Sequence, residues 1–168
     1  MAGLATAALI FCALATAIHL ITIALALVRV LARKKRREPE STPVSIVRPV
    51  CGIDHYDELT LRSTFELQSD SYEIIFCAAR EGDAAVPLVR KLIAQHPHIP
   101  ARLLIGDERP TSNPKLNNVV KGWEAARHPW IVLADNNVLM PPDYLDDMFA
   151  ASGPGVGLVC SPPVGSHP

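Results

Sequence analysis

Hydrophobic positions fall into two regimes along this chain. From Met1 to Val28 they run on without any Asp, Glu, Lys or Arg, and His19 is the one strongly polar side chain. At about 1.5 Å rise per residue, roughly 20 such residues cross a bilayer core, so residues 1–28 predict one spanning helix. Beyond Pro43 the pattern breaks into short units. Val44–Val50, Tyr72–Ala79, Ala101–Gly106, Trp130–Asp135 and Val156–Cys160 are apolar runs of buried-strand length, rich in β-branched residues. Between them the spacing turns helical. Leu116, Val119, Val120 and Trp123 recur at i, i+3, i+4 and i+7, Val86, Val89, Leu92 and Ile93 share one face, and Asp57–Gln68 is a weaker helix. Pro141-Pro142 predicts a further helix start ahead of DYLDDMFA. Strand and helix in alternation imply an α/β fold, a mostly parallel Rossmann-like sheet with helices on its faces. The fifth run is followed only by SPPVGSHP, so the sheet reads as incomplete.

Charge sharpens the division. Six of the 16 Lys and Arg residues lie between Arg29 and Arg37, and all 17 Asp and Glu residues follow them. Ten basic residues against 17 acids leave residues 38–168 at a net −7, which excludes a general nucleic-acid binder. A cleavable signal peptide needs basic residues before its apolar run; here Arg33–Arg37 come after it. The expected organisation is a membrane anchor at 1–28, a basic collar and linker at 29–43, and an α/β domain at 44–168. Basic residues beside a span stay on the cytoplasmic side, so the soluble part is expected in the cytoplasm, on the inner membrane if the source is bacterial. The collar also suits anionic headgroups.

In parallel α/β sheets, ligands sit beyond the carboxyl ends of the strands, where strand order reverses. Asp135-Asn136-Asn137, directly after IVLA, stands at such a place. One carboxylate with substrate oxygens and water is the donor set of a divalent cation on a diphosphate, and Asn137 can add an amide oxygen. Capping of the turn before Pro141 is the competing reading. Asp83, after the second strand, is a candidate for binding a base or ribose and equally for an ordinary N-cap. Asn113-Pro114-Lys115-Leu116-Asn117 is a polar loop turning into a helix, where backbone N–H groups and Lys115 can face an anion together, or merely form a solvated helix entry.

Several chemistries lack their residues. There is no G-x-G-x-x-G after a strand, no P-loop and no G-x-S-x-G elbow. Cys12, Cys51, Cys77 and Cys160 form no C-x-x-C, and His96, His98, His128 and His167 read as surface residues.

An apolar N-terminal helix followed by VSIVRPVCGID, STFELQSDSYEIIFC, ARLLIG, NPKLNN and LADNNVLMPPDYL resembles the ceramide glucosyltransferases, the lipid glycosyltransferases of family 21, and CSPPVGS is similar to their bacterial members. The resemblance implies a GT-A type nucleotide-binding fold, a UDP-sugar donor and a ceramide or related lipid acceptor. It also implies inversion at the anomeric carbon and a divalent metal, Mg²⁺ or Mn²⁺. Asp83 resembles the family's first Asp, assigned to donor binding, and Asp135 the second, which with the metal holds the diphosphate. Lys115, Asn113 and Asn117 join the donor-binding candidates, and Asp135 and Asn137 are the metal candidates.

Departures are two. Arg80 stands where many relatives carry Asp, and the DxD-like motif lacks its last acid. The family's third Asp, taken as catalytic base, its (Q/R)-x-x-R-W motif and its C-terminal membrane segments have no counterpart in these 168 residues. The chain is therefore expected to be an N-terminal fragment, inactive alone. Enzymes on other lipids, such as hopanoids, are alternatives, as are family 2 synthases, from which Arg48-Pro49-Val50-Cys51-Gly52 departs at the first strand's end. A membrane-tethered nucleotide-binding module is the non-enzymatic alternative.

Overall fold

The computed structural model describes residues 2–31, 42–106, 111–161 and 165. The collar Arg33–Arg37 falls outside them. Two compact units divide the chain, Met1–Lys35 and Arg36–Pro168. The first is helix α1, Ala2–Leu31, whose 30 residues reach about 45 Å, more than a bilayer core. Within it Gly3–Arg29 has the length and composition of a membrane span, and Thr22 Oγ1 donates to His19 O at 2.9 Å, returning its hydroxyl to the helix.

The second unit runs β1 (Val44–Pro49), α2 (Asp57–Ser63), β2 (Tyr72–Ala78), α3 (Ala85–Gln95), β3 (Ala101–Ile105), α4 (Pro114–Ala125), β4 (Trp130–Leu133) and α5 (Tyr144–Ala151). The strands are all parallel in the order β3-β2-β1-β4, with Val44 opposite both Tyr72 and Trp130. The chain steps outward from β1 to β3, then crosses back to lay β4 against the other side of β1. Strand order therefore reverses between β1 and β4, and in such sheets the ligand crevice lies outside the strands' carboxyl ends at this point.

Alternation along β1 builds both faces of the sheet. Val44, Ile46 and Val50 join Ile74, Phe76, Leu61 and Phe65, and Val86, Val89 and Leu92 of α3, in the main core, which Met140 and Leu145 extend toward α5. Val47, Ile75 and Cys77 face the other way, toward Ala125 at the end of α4. Gly122 lets α4 press close: a Cβ there would collide with Val47 Cγ1 and lie 3.0 Å from Cys77 Sγ. Burial pushes the Cys77 thiol up to about 11, which makes it inert packing.

Three expectations change. Val156–Cys160 forms no strand: it pairs with no neighbour, and Leu158 is 77% exposed. A β-branched run supplies propensity, but a strand exists only through its ladder. The helix expected to open at Pro141 begins at Tyr144, because Tyr144 N donates to Pro141 O in a preceding turn. His96 is half-buried, stacked on Phe65 at 4.7 Å with Nδ1 2.8 Å from Leu92 O, and is no surface residue.

Candidate functional site

The site is built from described residues that follow the carboxyl ends of the strands. After β4, the backbone turns through Asp135-Asn136-Asn137, closed by Val138 N donating to Asp135 O at 3.2 Å. Asp135 is left half-exposed, its Oδ1 2.7 Å from the Lys115 ammonium. Lys115 sits in the first turn of α4, so the start of α4 and the turn after β4 meet here. Both partners are open to water, at 59% and 48% exposure, and such a pair is worth no more than about 1 kcal/mol. It is an easily exchanged contact. Asn137, two residues on, is also exposed.

The other expected site residues have defined structural work. Asn113 is the N-cap of α4, its Oδ1 accepting from Lys115 N at 3.0 Å and Leu116 N at 3.2 Å. Those amides are thereby occupied, so an anion would meet the Lys115 side chain and not a free helix N-terminus. Asn117 is buried and laces the preceding loop: its Oδ1 accepts from Thr111 N and Oγ1, and its Nδ2 donates to Thr111 O at 3.0 Å. Asp83, also buried, accepts at Oδ1 from Ala85 N at 2.9 Å, which starts α3, and from Gly52 N at 2.8 Å. Gly52 has φ +69°, a left-handed conformation that admits glycine most readily. Asp83 thus ties the loop after β1 to the loop after β2, beside the crevice.

Arg48 is the residue that reading the sequence for chemistry passed over. It is fully buried in β1, on the same face as Ile46 and Val50. Nη2 is shared among the carbonyls of Asp135 (2.7 Å), Asn136 (3.1 Å) and Val138 (2.9 Å), and Nη1 donates to Thr60 O (2.8 Å) and Thr64 Oγ1. Burial lowers its pKa to about 10, partly offset by Asp57, Asp135 and Tyr144, so it stays charged at neutral pH. Asp57 completes the frame. Its carboxylate accepts from Asn136 Nδ2 at 3.1 and 3.3 Å and from Asp54 N at 2.8 Å, while Thr60 Oγ1 donates to Asn136 O at 2.5 Å. The available signal was a guanidinium inside an otherwise apolar strand.

A divalent cation fits this donor set. Asp135 and Asn137 offer hard oxygen ligands, and no group of three His, Cys, Asp or Glu residues placed to hold a metal exists among the described residues. The remaining positions would fall to water and phosphate oxygens, as Mg²⁺ and Mn²⁺ accept.

The parallel sheet, with its strand order reversing between β1 and β4, has an α/β fold of the GT-A type. A mannosyltransferase from Pyrobaculum calidifontis, in complex with GDP-Man and Mn²⁺, superposes with a TM-score of 0.59 at 21% identity, over 82% of this chain and 41% of that one. The chain matches glycosyl transferase family 21 over residues 10–168 and belongs to that family. Ceramide glucosyltransferase 1 of Caenorhabditis elegans is 35% identical over 145 residues, covering 86% of this chain and 31% of that protein. Ceramide glucosyltransferase of Komagataella phaffii is 38% identical over 104 residues, covering 60% of this chain and 20% of that protein. The chain thus spans about a third or less of the length of these relatives.

Proposed function

We propose that the protein is a membrane-anchored inverting glycosyltransferase whose described domain binds the donor, a UDP-hexose, for transfer to the hydroxyl of ceramide or a related lipid. The observation that carries this reading is the Lys115–Asp135 pair at the strand-order reversal, in a chain of family 21. A divalent cation, when bound, supplies the charge that a departing diphosphate needs. Asp135, with Asn137, is the residue to hold it; Lys115, released from Asp135, turns its ammonium to the phosphate oxygens. Asp83 keeps the loops after β1 and β2 together, where the base and ribose are expected. Helix α1 supplies the anchor, and the collar Arg33–Arg37 favours a cytoplasmic donor site. The likeness to ceramide glucosyltransferases carries the acceptor assignment. Lipid mass spectrometry of cells carrying the intact gene tests it. Hexosylated ceramide that disappears with Asp135→Asn is expected; hexose on another lipid class only would overturn the acceptor.

A further inference from the structure

We propose that Arg48 is a positioning residue, built into β1 to set the aim of the Asp135 carboxylate toward a metal-bound diphosphate. This rests on the donor reading above. Four observations point the same way. The guanidinium is fully buried and does not itself reach the crevice, so it is no ligand. Its Nη2 gathers three carbonyls belonging to one turn, the turn that carries Asp135. Its Nη1 is anchored on α2 through Thr60 O and Thr64 Oγ1. The same turn is gripped a second time from α2, by Thr60 Oγ1 on Asn136 O and by Asp57 on the Asn136 amide.

The physical logic is one of competing uses for a buried charge. An apolar residue at position 48 would pack more cheaply, since a buried guanidinium must be desolvated. Four carbonyls and a hydroxyl could be satisfied by water or by neutral donors. What a planar fork adds is fixed relative placement of α2 and the β4–α5 turn. Residues that orient a metal ligand from behind typically contribute about 10- to 100-fold in metal affinity. Lysine at 48 keeps the charge but, lacking the fork, cannot hold both groups of acceptors in one geometry.

The test uses the detergent-solubilised chain and UDP as probe, titrated calorimetrically with Mn²⁺ and again with EDTA, alongside thermal unfolding. Arg48→Lys is expected to lower the Mn²⁺-dependent UDP affinity about tenfold or more, with affinity in EDTA unchanged. Asp135→Asn should lose the same component, and the double variant should be no weaker than Asp135→Asn alone, because both act through one carboxylate. Retention of the Mn²⁺-dependent component in Arg48→Lys, when Asp135→Asn has lost it, overturns the inference. So does equal weakening with and without Mn²⁺, the mark of general packing. If wild type shows no Mn²⁺-dependent component, or Asp135→Asn keeps it, the donor reading itself falls and takes this inference with it. Should Arg48→Lys not fold, Thr60→Val removes the outer grip on Asn136 O, together with the hydroxyl's longer bonds to Tyr56 O and Asp57 O, and leaves the guanidinium in place. A smaller loss confined to the Mn²⁺-dependent component then supports the frame, and wild-type behaviour refutes it.

Discussion

Replacing Lys115 by Met should change two affinities in opposite directions. The substitution keeps the side-chain length and much of the helix propensity, and it leaves the Lys115 backbone N–H available to the Asn113 cap, so α4 should persist. What disappears is the ammonium 2.7 Å from Asp135 Oδ1. Without a donor bound, that ammonium competes with any cation for Asp135. The pair is open to water and worth at most about 1 kcal/mol, so Mn²⁺ alone should bind up to about fivefold tighter in the variant. With UDP present the sign reverses. The ammonium then serves the diphosphate, and a hydrogen bond to a charged group is worth about 1.5–3 kcal/mol, so UDP–Mn²⁺ should bind roughly 10- to 100-fold more weakly. Electron paramagnetic resonance of free Mn²⁺ measures the first quantity and calorimetry the second. Weakening of both by the same factor, or UDP–Mn²⁺ binding at wild-type strength, would refute the exchange of Lys115 between Asp135 and phosphate.

Three further outcomes are expected. Gly122→Ala drives a methyl into Val47 and Cys77 and should destabilise the soluble unit by about 1–3 kcal/mol in thermal unfolding, with no repair by UDP–Mn²⁺ beyond that seen in wild type. Glu73 is buried at the strand N-termini; burial raises its pKa, but the Arg127 N–H, the Ser45 hydroxyl and the charges of Arg102 and Arg127 outweigh this and leave it lowered. A folded pKa below the unfolded one stabilises above the unfolded value, near 4.5, and that stabilisation is lost as pH falls through the folded pKa; Glu73→Gln should therefore flatten the stability–pH curve in this acid range. Protease added to sealed right-side-out cells should spare residues 38–168, and digestion there would reverse the proposed orientation.

The strands were legible because parallel strands are buried on both faces, and β1 and β2 read as mainly apolar runs broken only by Ser45, Arg48 and Glu73. Their ends were less so: Asp135 looked like the last residue of its strand, whereas β4 stops at Leu133 and the turn has already begun. The fifth run shows the limit of propensity, since Val156–Cys160 has the composition of a strand and no ladder to join. At the site, local pattern singled out Asp135 and Lys115, and the structure sets them 2.7 Å apart. Asn113 and Asn117, expected among the donor-binding residues, also carry structural work in the cap and loop that present Lys115, which local pattern did not reveal. Arg48 was illegible because its acceptors lie on Thr60, Thr64 and the Asp135–Val138 turn, 12 to 90 positions away. No short window of sequence contains both the guanidinium and the Asp135–Val138 turn it holds.

The contact between Asp57 and Asn136 bears on how such a motif can be inherited. A carboxylate buried in α2 reads the middle residue of the motif through that residue's N–H donors, 79 positions along the chain. An acid at 136 would face Asp57 across the same gap and repel it. Exchange of the three-residue motif alone between relatives would thus import a mismatch unless the start of α2 travelled with it. Positions 57 and 136 should therefore change together, and the recombination breakpoints tolerated by this domain are expected outside the segment that joins them.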